Sequence, residues 1–458
     1  MSNSFFLFSE TINFIRVRLY SKPDLKLIFV NSCWLVGDKV LRLAIGLFVT
    51  AWFARYLGPG QYGKLAYVIA FLSVFQAFSL LGLDNIVVRN IAQCPIEANQ
   101  ILGTTLRLRL IASTLSFTIA CTSIHFIYPE NFEFQLLVFL AGFGIIFQTA
   151  DIVDLWFQSQ SQSKRTVIPK AISYAISAAV KVVLVILSAP LWLFAAVIGA
   201  ESTFTAIALY MSYKKYPVMK KWAWNNALSK KMLYQSFPLL LAGISIIIYM
   251  KSSQIIIQEL VDDTAVGIYA TGQMLSELWY FLPLTLATSV APILARKKIE
   301  SEKSYKDALQ KIFGMMWFFS ISISIIVAVH SELIVTILFG EKYKAAASIL
   351  SIHIFTLISV SIGVTQSLWL INENKNSLAL YQAMAGAISS VGLNVYLISN
   401  YGIKGGAYAT VISQFIQAFA INAFIAPPLF RIQMSSLFML ISKSLGSFLF
   451  ITSLSKKR

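Results

Sequence analysis

The sequence predicts an all-α polytopic membrane protein of about 12 transmembrane helices, arranged as two six-helix lobes around a central cavity. Three observations support this fold class. Of the 458 residues, 57% are hydrophobic and 12% are charged, whereas soluble domains contain about 25% charged residues. Apolar runs of about 20 residues, the length that crosses a bilayer, recur along the chain. Two short motifs also recur at matching places in the two halves.

The apolar runs define the domain boundaries. We predict a cytoplasmic interfacial segment at 1–26, an N-lobe at 27–211, a basic cytoplasmic linker at 212–234, a C-lobe at 235–430 and a hydrophobic, basic segment at 431–458. The predicted helices, which we call spans one to twelve, are 27–54, 62–83, 105–128, 133–158, 167–188, 190–211, 235–260, 264–294, 308–333, 345–371, 376–399 and 404–430. Because Lys443 interrupts residues 435–454, we expect that stretch to lie on or dip into the inner leaflet.

The charge pattern orients the chain in the membrane. Basic residues concentrate in alternate connections, including 212–234 and 295–307, whereas connections on the other side carry acids such as Asp262 and Asp263. Cytoplasmic loops of membrane proteins retain Lys and Arg, so both termini are predicted to be cytoplasmic. The net charge of +17 is therefore an orientation signal, and we predict no nucleic-acid partner.

An internal repeat supports the two-lobe arrangement. The motif "GQYGKLAYV" begins at Gly60 after span one, and "TAVGIYATG" begins at Thr264 after span seven. This alignment places Gly63 opposite Gly267. A second repeated motif pairs "LFAAVIG" in span six with "GGAYATVIS" in span twelve. Parallel repeats of this kind surround a cavity that opens alternately to the two sides of the membrane.

Catalytic motifs are absent from the sequence. We find no P-loop, no dinucleotide-binding glycine pattern, no HExxH motif and no recognisable nucleophile triad. The connections between spans are also too short to hold a soluble catalytic domain. The sequence therefore predicts a protein that is not an enzyme and that has no cofactor and no metal site.

Span one carries three charges near its middle. A charge inside the bilayer costs about 2.5 kcal/mol or more unless it faces protein or water, so such residues mark candidate functional sites. Asp38 and Arg42 are four residues apart and are predicted to form a structural ion pair. Lys39 has no such partner within its own helix, so it is the strongest candidate for a binding residue.

Five motifs occur in a characteristic order: "ARYLGPGQYGKLAYV", "LGLDNIVVRN", "VGIYATGQMLSELWYFLP", "LFGEKYKAAASIL" and "GLNVYLISNYGIKGGAYATVISQ". From about residue 27 to 430 the chain resembles the bacterial polysaccharide flippases of the multidrug/oligosaccharidyl-lipid/polysaccharide exporter superfamily. The resemblance implies a flippase that moves undecaprenyl-diphosphate-linked oligosaccharide across the bacterial inner membrane for O-antigen, lipopolysaccharide or capsule synthesis. It also implies that membrane lipid, the polysaccharide polymerase and the chain-length regulator are partners.

The resemblance suggests a ligand for the charged residues inside the spans. Lys39 and Lys251 lie midway in spans one and seven, so they are expected to meet the cavity from opposite lobes. A diphosphate requires cationic donors, and we predict that Lys39, Lys251 and Arg42 bind it. Trp34 and Tyr249, on the same two spans, are predicted to stack on sugar rings.

The acidic residues in the spans have two interpretations. Glu201 and Glu277 are candidates for proton or sodium coupling, or each forms half of a structural pair. Lys181 is expected to pair with Glu201 or Asp154. Many members of the resembling family carry an acid just after the basic residue of span seven, where this chain reads "YMKSSQIII". A mechanism that needs that carboxylate does not transfer to this chain.

Three other functions are open at this point. A drug or metabolite exporter of the same superfamily would favour an acidic, aromatic cavity that binds organic cations. A membrane glycosyl polymerase or ligase would need a sizeable outer loop with catalytic groups, and the sequence contains none. A non-transporting scaffold would match every buried charge within the protein.

Overall fold

The computed structural model describes residues 23–215 and 222–439, which form helices and short connections. Most of the predicted interfacial segment, at 1–22, and the end of the predicted C-terminal segment, at 440–458, lie outside these ranges. The prediction that 435–454 lies on the inner leaflet therefore also falls largely outside them. Within the described ranges no residue belongs to a strand, as the all-α prediction requires.

The described helices, in chain order, are α1 (Pro23–Leu80), α2 (Asp84–Gln93), α3 (Ala98–Ile127), α4 (Phe132–Gly142), α5 (Gly144–Phe147), α6 (Ile152–Ser159), α7 (Lys164–Ile186), α8 (Leu191–Lys214), α9 (Asn226–Leu260), α10 (Asp263–Glu277), α11 (Phe281–Glu300), α12 (Glu302–Val329), α13 (Ser331–Phe339), α14 (Ala346–His353), α15 (Thr356–Asn372), α16 (Leu378–Tyr401), α17 (Ile403–Phe415) and α18 (Asn422–Ile425). Residues 427–439 are also helical.

Within the described ranges, 11 helical stretches are long and apolar enough to cross a membrane. The first, Gly37–Gln93, contains 57 residues and would be about 85 Å long if straight, far more than a hydrocarbon core of about 30 Å. Gly58 breaks it with a φ of 74° and a ψ of 168°, and Pro59 follows. Because proline has no backbone N–H to continue the helix, α1 supplies both span one and span two. The prediction of about 12 spans is confirmed.

Three hydrophobic cores within the described ranges show how the two lobes meet. The largest core combines α1 residues such as Phe53 and Tyr62 with C-lobe residues such as Tyr269 and Tyr343. A second core, around Leu309, belongs to the C-lobe, and a third, around Leu102, belongs to the N-lobe and the start of α9. The shared core lies at the end predicted to face the periplasm, and the separate cores lie at the opposite end. The lobes therefore share a core at the predicted outer end, whereas at the predicted inner end the cores are separate and the N-lobe contacts the C-lobe at the start of span seven, where Arg89 donates to Gln235.

Several spans are interrupted inside the lobes. Span four consists of α4, α5, a 3₁₀ turn at Gln148–Asp151 and α6. A 3₁₀ turn at Leu278–Tyr280 divides span eight into α10 and α11, and Ile354 and Phe355 separate α14 from α15 in span ten. Interrupted helices expose backbone and side-chain polar groups at membrane depth, where neighbouring protein groups or water in a cavity can form hydrogen bonds with them.

Buried hydroxyl and amide groups hold the C-lobe together. Ser252 contacts Ser390 at 2.9 Å, and Ser253 donates to Asn394 at 2.8 Å, which joins α9 to α16. Ser253 also contacts Thr410 of α17 at 2.8 Å. These serines directly follow Lys251 in the chain. They serve helix packing within the lobe, because their hydroxyl partners are all internal.

The orientation inferred from charge is testable with reporter fusions along the chain. Fusions after Lys164, Lys220, Lys303 and Arg431 should report cytoplasm, because the basic connections remain on that side. Fusions after Pro129, Asp263, Lys342 and Asn400 should report periplasm. A periplasmic signal after Lys220 or Lys303 would contradict the topology.

Candidate functional site

A cavity of about 770 Å³ lies between the two lobes. Its N-lobe wall comes from α1, the 3₁₀ turn of span four, α7 and α8, and its C-lobe wall comes from α9, α10, α11 and the turn before α11. Most of the lining is apolar, including Leu43, Leu47, Ile198 and Leu284. Among the described residues, the acidic and basic side chains that line it are Lys39, Arg42, Lys181, Glu201, Lys251 and Glu277. The cavity therefore has more basic than acidic groups.

Lys39 lines the cavity from α1 with an exposed side chain. Its sequence neighbour Asp38 pairs instead with Arg42, whose Nε lies 2.9 Å from the Asp38 carboxylate. Among the residues that the structure describes, no acidic side chain lies within ion-pair distance of Lys39. The structure thus separates the three charges of span one into an internal pair and one unpaired cation.

Arg42 is held in place by span five. Its guanidinium lies 5.1 Å from the ring centre of Tyr174, and the Tyr174 hydroxyl donates to the backbone carbonyl of Arg42 at 3.2 Å. Gly46, one turn along α1, makes room for this contact, since a Cβ there would lie 2.6 Å from the Tyr174 hydroxyl oxygen. Tyr174 therefore fixes both the backbone and the side chain of Arg42 at the cavity wall.

Lys181, the third basic side chain on the N-lobe wall, is paired within the N-lobe. Lys181 of α7 lies 3.2 Å from the carboxylate of Glu201 in α8, and Ser177 donates to the same oxygen at 2.7 Å. Asp154, the other expected partner of Lys181, pairs with Lys170 at 2.7 Å. Lys181 and Glu201 thus form an internal pair that lines the cavity.

The C-lobe wall carries an ordered chain of polar groups. Gln254 donates to the Gln273 side-chain oxygen at 3.0 Å, and Gln273 donates to Glu277 at 2.7 Å and to the Met250 carbonyl at 3.0 Å. Glu277 is therefore oriented by an amide, and within the described ranges no basic side chain lies within ion-pair distance of it. Lys251 lines the same wall and is likewise unpaired there.

Two predicted binding residues do not line the cavity. Tyr249 packs against α16, where a Cβ on Gly386 would lie 3.2 Å from its ring. Trp34 stacks instead under the Lys164 ammonium at 5.1 Å. Helical residues share a face when they are three or four positions apart. Tyr249 is two positions before Lys251 and Trp34 is five before Lys39, so neither shares the lysine's face.

Sequence reasoning also missed several polar residues of the cavity wall. Gln254 lies three residues after Lys251, and Gln273 lies four before Glu277. That helical spacing is a signal that would have identified them. Tyr174 and Ser177 gave no comparable signal, because their positions depend on how α7 packs against α1 and α8.

Comparisons with known proteins agree with this architecture. A family model described as "Polysaccharide biosynthesis protein" matches residues 29–298. A search of curated proteins finds no match. The fold is similar to an inward-facing multidrug resistance transporter of the MATE family in the MOP superfamily, with a TM-score of 0.71 and 13% identity over 87% of this chain and 96% of that one.

Two further solved structures share the fold. The lipid II flippase MurJ, in an inward closed conformation, aligns with a TM-score of 0.65 and 16% identity over 91% of this chain and 93% of that one. An outward-facing MATE transporter aligns with a TM-score of 0.61 and 13% identity over 89% of this chain and 96% of that one. At these identities the likeness concerns the fold, and it confirms the two-lobed arrangement.

Proposed function

The chain belongs to the polysaccharide biosynthesis protein family, and from that premise we propose that it flips undecaprenyl-diphosphate-linked oligosaccharide units from the cytoplasmic to the periplasmic leaflet. The units serve the synthesis of O-antigen, lipopolysaccharide or another surface polysaccharide. The protein acts by alternating access in the bacterial inner membrane, with both termini in the cytoplasm, and performs no covalent chemistry. The polymerase and the chain-length regulator receive the delivered units.

The observation that supports this substrate is the pair of unpaired cations on opposite walls of one cavity. Lys39 approaches from the N-lobe and Lys251 from the C-lobe. An unpaired ammonium in a partly apolar site is costly, and an anionic ligand compensates for that cost. Lysine binds phosphate as a point charge, and a diphosphate is large enough to be shared between two lysines. Arg42 contributes a third donor on the N-lobe wall.

The size and lining of the cavity fit the head group of such a lipid. Its volume of about 770 Å³ lies within the range of about 300–1,000 Å³ seen for small-ligand sites. The cavity therefore holds the diphosphate and the first sugars, whereas the polyprenyl chain stays in the membrane. Gln254, Gln273 and Glu277 supply hydrogen-bonding groups for sugar hydroxyls on the C-lobe wall.

We assign coupling to a proton or a sodium ion to Glu277 rather than to Glu201. Glu201 is engaged by Lys181 and Ser177, so its charge is already balanced within the N-lobe. Glu277 receives one amide hydrogen bond and lines the same C-lobe wall of the cavity as Lys251. Because the Glu277 carboxylate has no basic partner among the described residues, it can bind a proton or a sodium ion in one of the two conformations of the transport cycle and release it in the other.

Export of organic cations is the rival function. Such an exporter needs acidic groups in excess of basic ones, so that a cationic ligand is attracted. This cavity has the opposite balance, with Lys39 and Lys251 unpaired in the described ranges and Glu201 neutralised. The electrostatics of the site therefore favour an anionic ligand.

The proposed function is tested in a strain that lacks this gene. Undecaprenyl-diphosphate-linked oligosaccharide should accumulate in the cytoplasmic leaflet, and surface polysaccharide should disappear, because assembled units cannot cross. Mass spectrometry of lipid extracts, with protection of the sugars from an external glycosidase, measures both the product and its leaflet. Restored surface polysaccharide on re-expression is the control. Normal delivery of the lipid-linked units in the deletion strain would contradict the proposal.

A further inference from the structure

The two lobes make backbone contact at the repeated glycines. A Cβ on Gly63 would lie 1.7 Å from the Asp263 carbonyl oxygen and 2.8 Å from the Gly267 nitrogen. A Cβ on Gly267 would lie 2.0 Å from the Pro59 carbonyl oxygen and 3.1 Å from the Gly63 nitrogen. Each glycine thus packs against the preceding turn of the other repeat. No side chain fits at either position while the lobes are in this arrangement.

Two reciprocal contacts flank the glycine pair. From the C-lobe, the buried Tyr343 hydroxyl donates to the Ala54 carbonyl at 2.8 Å, just before the break at Gly58. From the N-lobe, Arg55 donates to the carbonyls of Thr336 and Ile337 near the end of α13. In each contact, a donor of one lobe binds carbonyls near a helix end of the other, where backbone carbonyls lack full intrahelical partners.

Aromatic side chains bury the Tyr343 contact, whereas the Arg55 contact is exposed. The Tyr62 and Tyr343 rings meet edge to face, with centroids 6.2 Å apart, and both belong to the core shared by the lobes. Burial, with a smaller effect from nearby Tyr62, raises the pKa of Tyr343 above its ordinary value. Its hydroxyl therefore keeps its proton and remains a donor at neutral pH. At the edge of the contact, Tyr128 donates to Glu259 across the lobes at 2.6 Å.

We propose that Gly63, Gly267, Arg55 and Tyr343 form an outer seal that closes the cavity at one end and separates when the transporter opens to the periplasm. The seal explains why the motifs "ARYLGPGQYGKLAYV", "VGIYATGQMLSELWYFLP" and "LFGEKYKAAASIL" occur together, because each supplies one of its parts. The proposal rests on the alternating-access part of the proposed function and is independent of the saccharide.

Disulfide trapping tests whether the seal must open. In a background where Cys33, Cys94 and Cys121 are replaced by serine, we place cysteines at Gly60 and Thr264. A Cβ on Gly60 would lie 3.4 Å from the Thr264 side-chain oxygen, the atom that the Sγ of a cysteine replaces, so the two cysteines are within reach of a disulfide. Oxidation should cross-link the pair and reduce delivery of lipid-linked units at least tenfold, and reduction should restore it. Undiminished delivery by the cross-linked protein would overturn the proposal.

Glycine substitutions test whether the seal needs the close contact. Gly63→Ala and Gly267→Ala should each lower the cross-linking rate of the Gly60/Thr264 cysteine pair at least tenfold, because the added carbon meets the opposite backbone. Gly392→Ala is the matched control, since a Cβ there would meet nothing within 4 Å. Tyr343→Phe removes one hydrogen bond worth about 1 kcal/mol, so it should shift the equilibrium about fivefold toward the open state and lower the rate less than the glycine variants do.

A second measurement reports the open state directly. Ala270 is buried in the shared core and lines the cavity. In Gly63→Ala, a cysteine at Ala270 should react at least tenfold faster with a membrane-impermeant maleimide added outside the cell. Unchanged cross-linking and labelling in both glycine variants would overturn the proposal. Absence of both glycine variants and Tyr343→Phe from the membrane, with Gly392→Ala present, would also overturn it, because the contact would then serve folding.

These readouts separate the seal from the substrate assignment. Cross-linking and maleimide labelling depend on the lobe contacts alone. A seal that behaves as expected, in a deletion strain that delivers its lipid-linked units normally, would support the seal and contradict the saccharide proposal.

Discussion

Replacing Lys39 with alanine should leave the protein in the membrane at near-normal abundance and remove most of its transport activity. Lys39 lines the cavity with an exposed side chain and has no ion-pair partner among the described residues, so folding does not depend on its charge. A charge-assisted hydrogen bond to a phosphate contributes about 2 kcal/mol, which corresponds to about a thirtyfold loss of transport. Immunoblotting of membranes and delivery of lipid-linked oligosaccharide in a deletion strain are the paired measurements.

Neighbouring substitutions in span one act as matched controls. Lys39→Arg should retain part of the activity, since the charge persists while its geometry changes. Asp38→Ala should lower abundance, because Arg42 loses the partner at 2.9 Å. Both side chains of that pair are partly exposed, so we expect a loss of about 1–2 kcal/mol, less than the roughly 3–5 kcal/mol of a fully buried pair. The double change Asp38→Ala with Arg42→Ala should recover some of that abundance.

Full complementation by Lys39→Ala would remove Lys39 from the binding site. The ion pair of Asp38 and Arg42 would then be the main role of the charges in span one. The same variant with reduced abundance would indicate a structural role for Lys39 that the contacts of its side chain do not suggest.

Much of the fold followed from local sequence signals. Apolar runs gave the spans because membrane crossing requires about 20 apolar residues regardless of the neighbouring helices. The helix break at Gly58 and Pro59 lies between the predicted spans one and two, and it too is a local effect, since both residues interrupt a helix. The repeated Gly63 and Gly267 pointed to duplicated lobes, although the sequence gave no sign that these two glycines touch.

The candidate site was harder to predict because it depends on helix rotation and on contacts between lobes. Lys39 and Lys251 were identifiable because an unpaired charge at membrane depth is unusual. Tyr249 was misplaced because lying on the correct span does not ensure lying on the correct face. Lys181 had two acidic candidates, and the choice of Glu201 over Asp154 depends on how α7 and α8 pack.

Changing Glu277 to glutamine should abolish ion coupling while the protein remains in the membrane. The amide preserves the size of the side chain, and its oxygen still accepts from the Gln273 amide, which now lies 2.7 Å from the Glu277 carboxylate. If a proton or sodium ion must bind at Glu277 in each cycle, loss of the charge should lower transport at least tenfold. A tenfold decrease corresponds to about 1.4 kcal/mol of lost ion-binding free energy. The remaining transport should no longer respond to external pH or sodium.

Glu201→Gln provides the contrast for this prediction. Glu201 is the partner of Lys181 at 3.2 Å and accepts from Ser177, so its loss leaves a lysine unpaired inside the N-lobe and should lower membrane abundance. Flux measured across a range of external pH and sodium, normalised to abundance, distinguishes the two acids. Normal, ion-responsive flux in Glu277→Gln would exclude Glu277 from coupling. Among the described residues Glu277 is the one carboxylate on the C-lobe wall of the cavity, so the coupling group would then lie elsewhere.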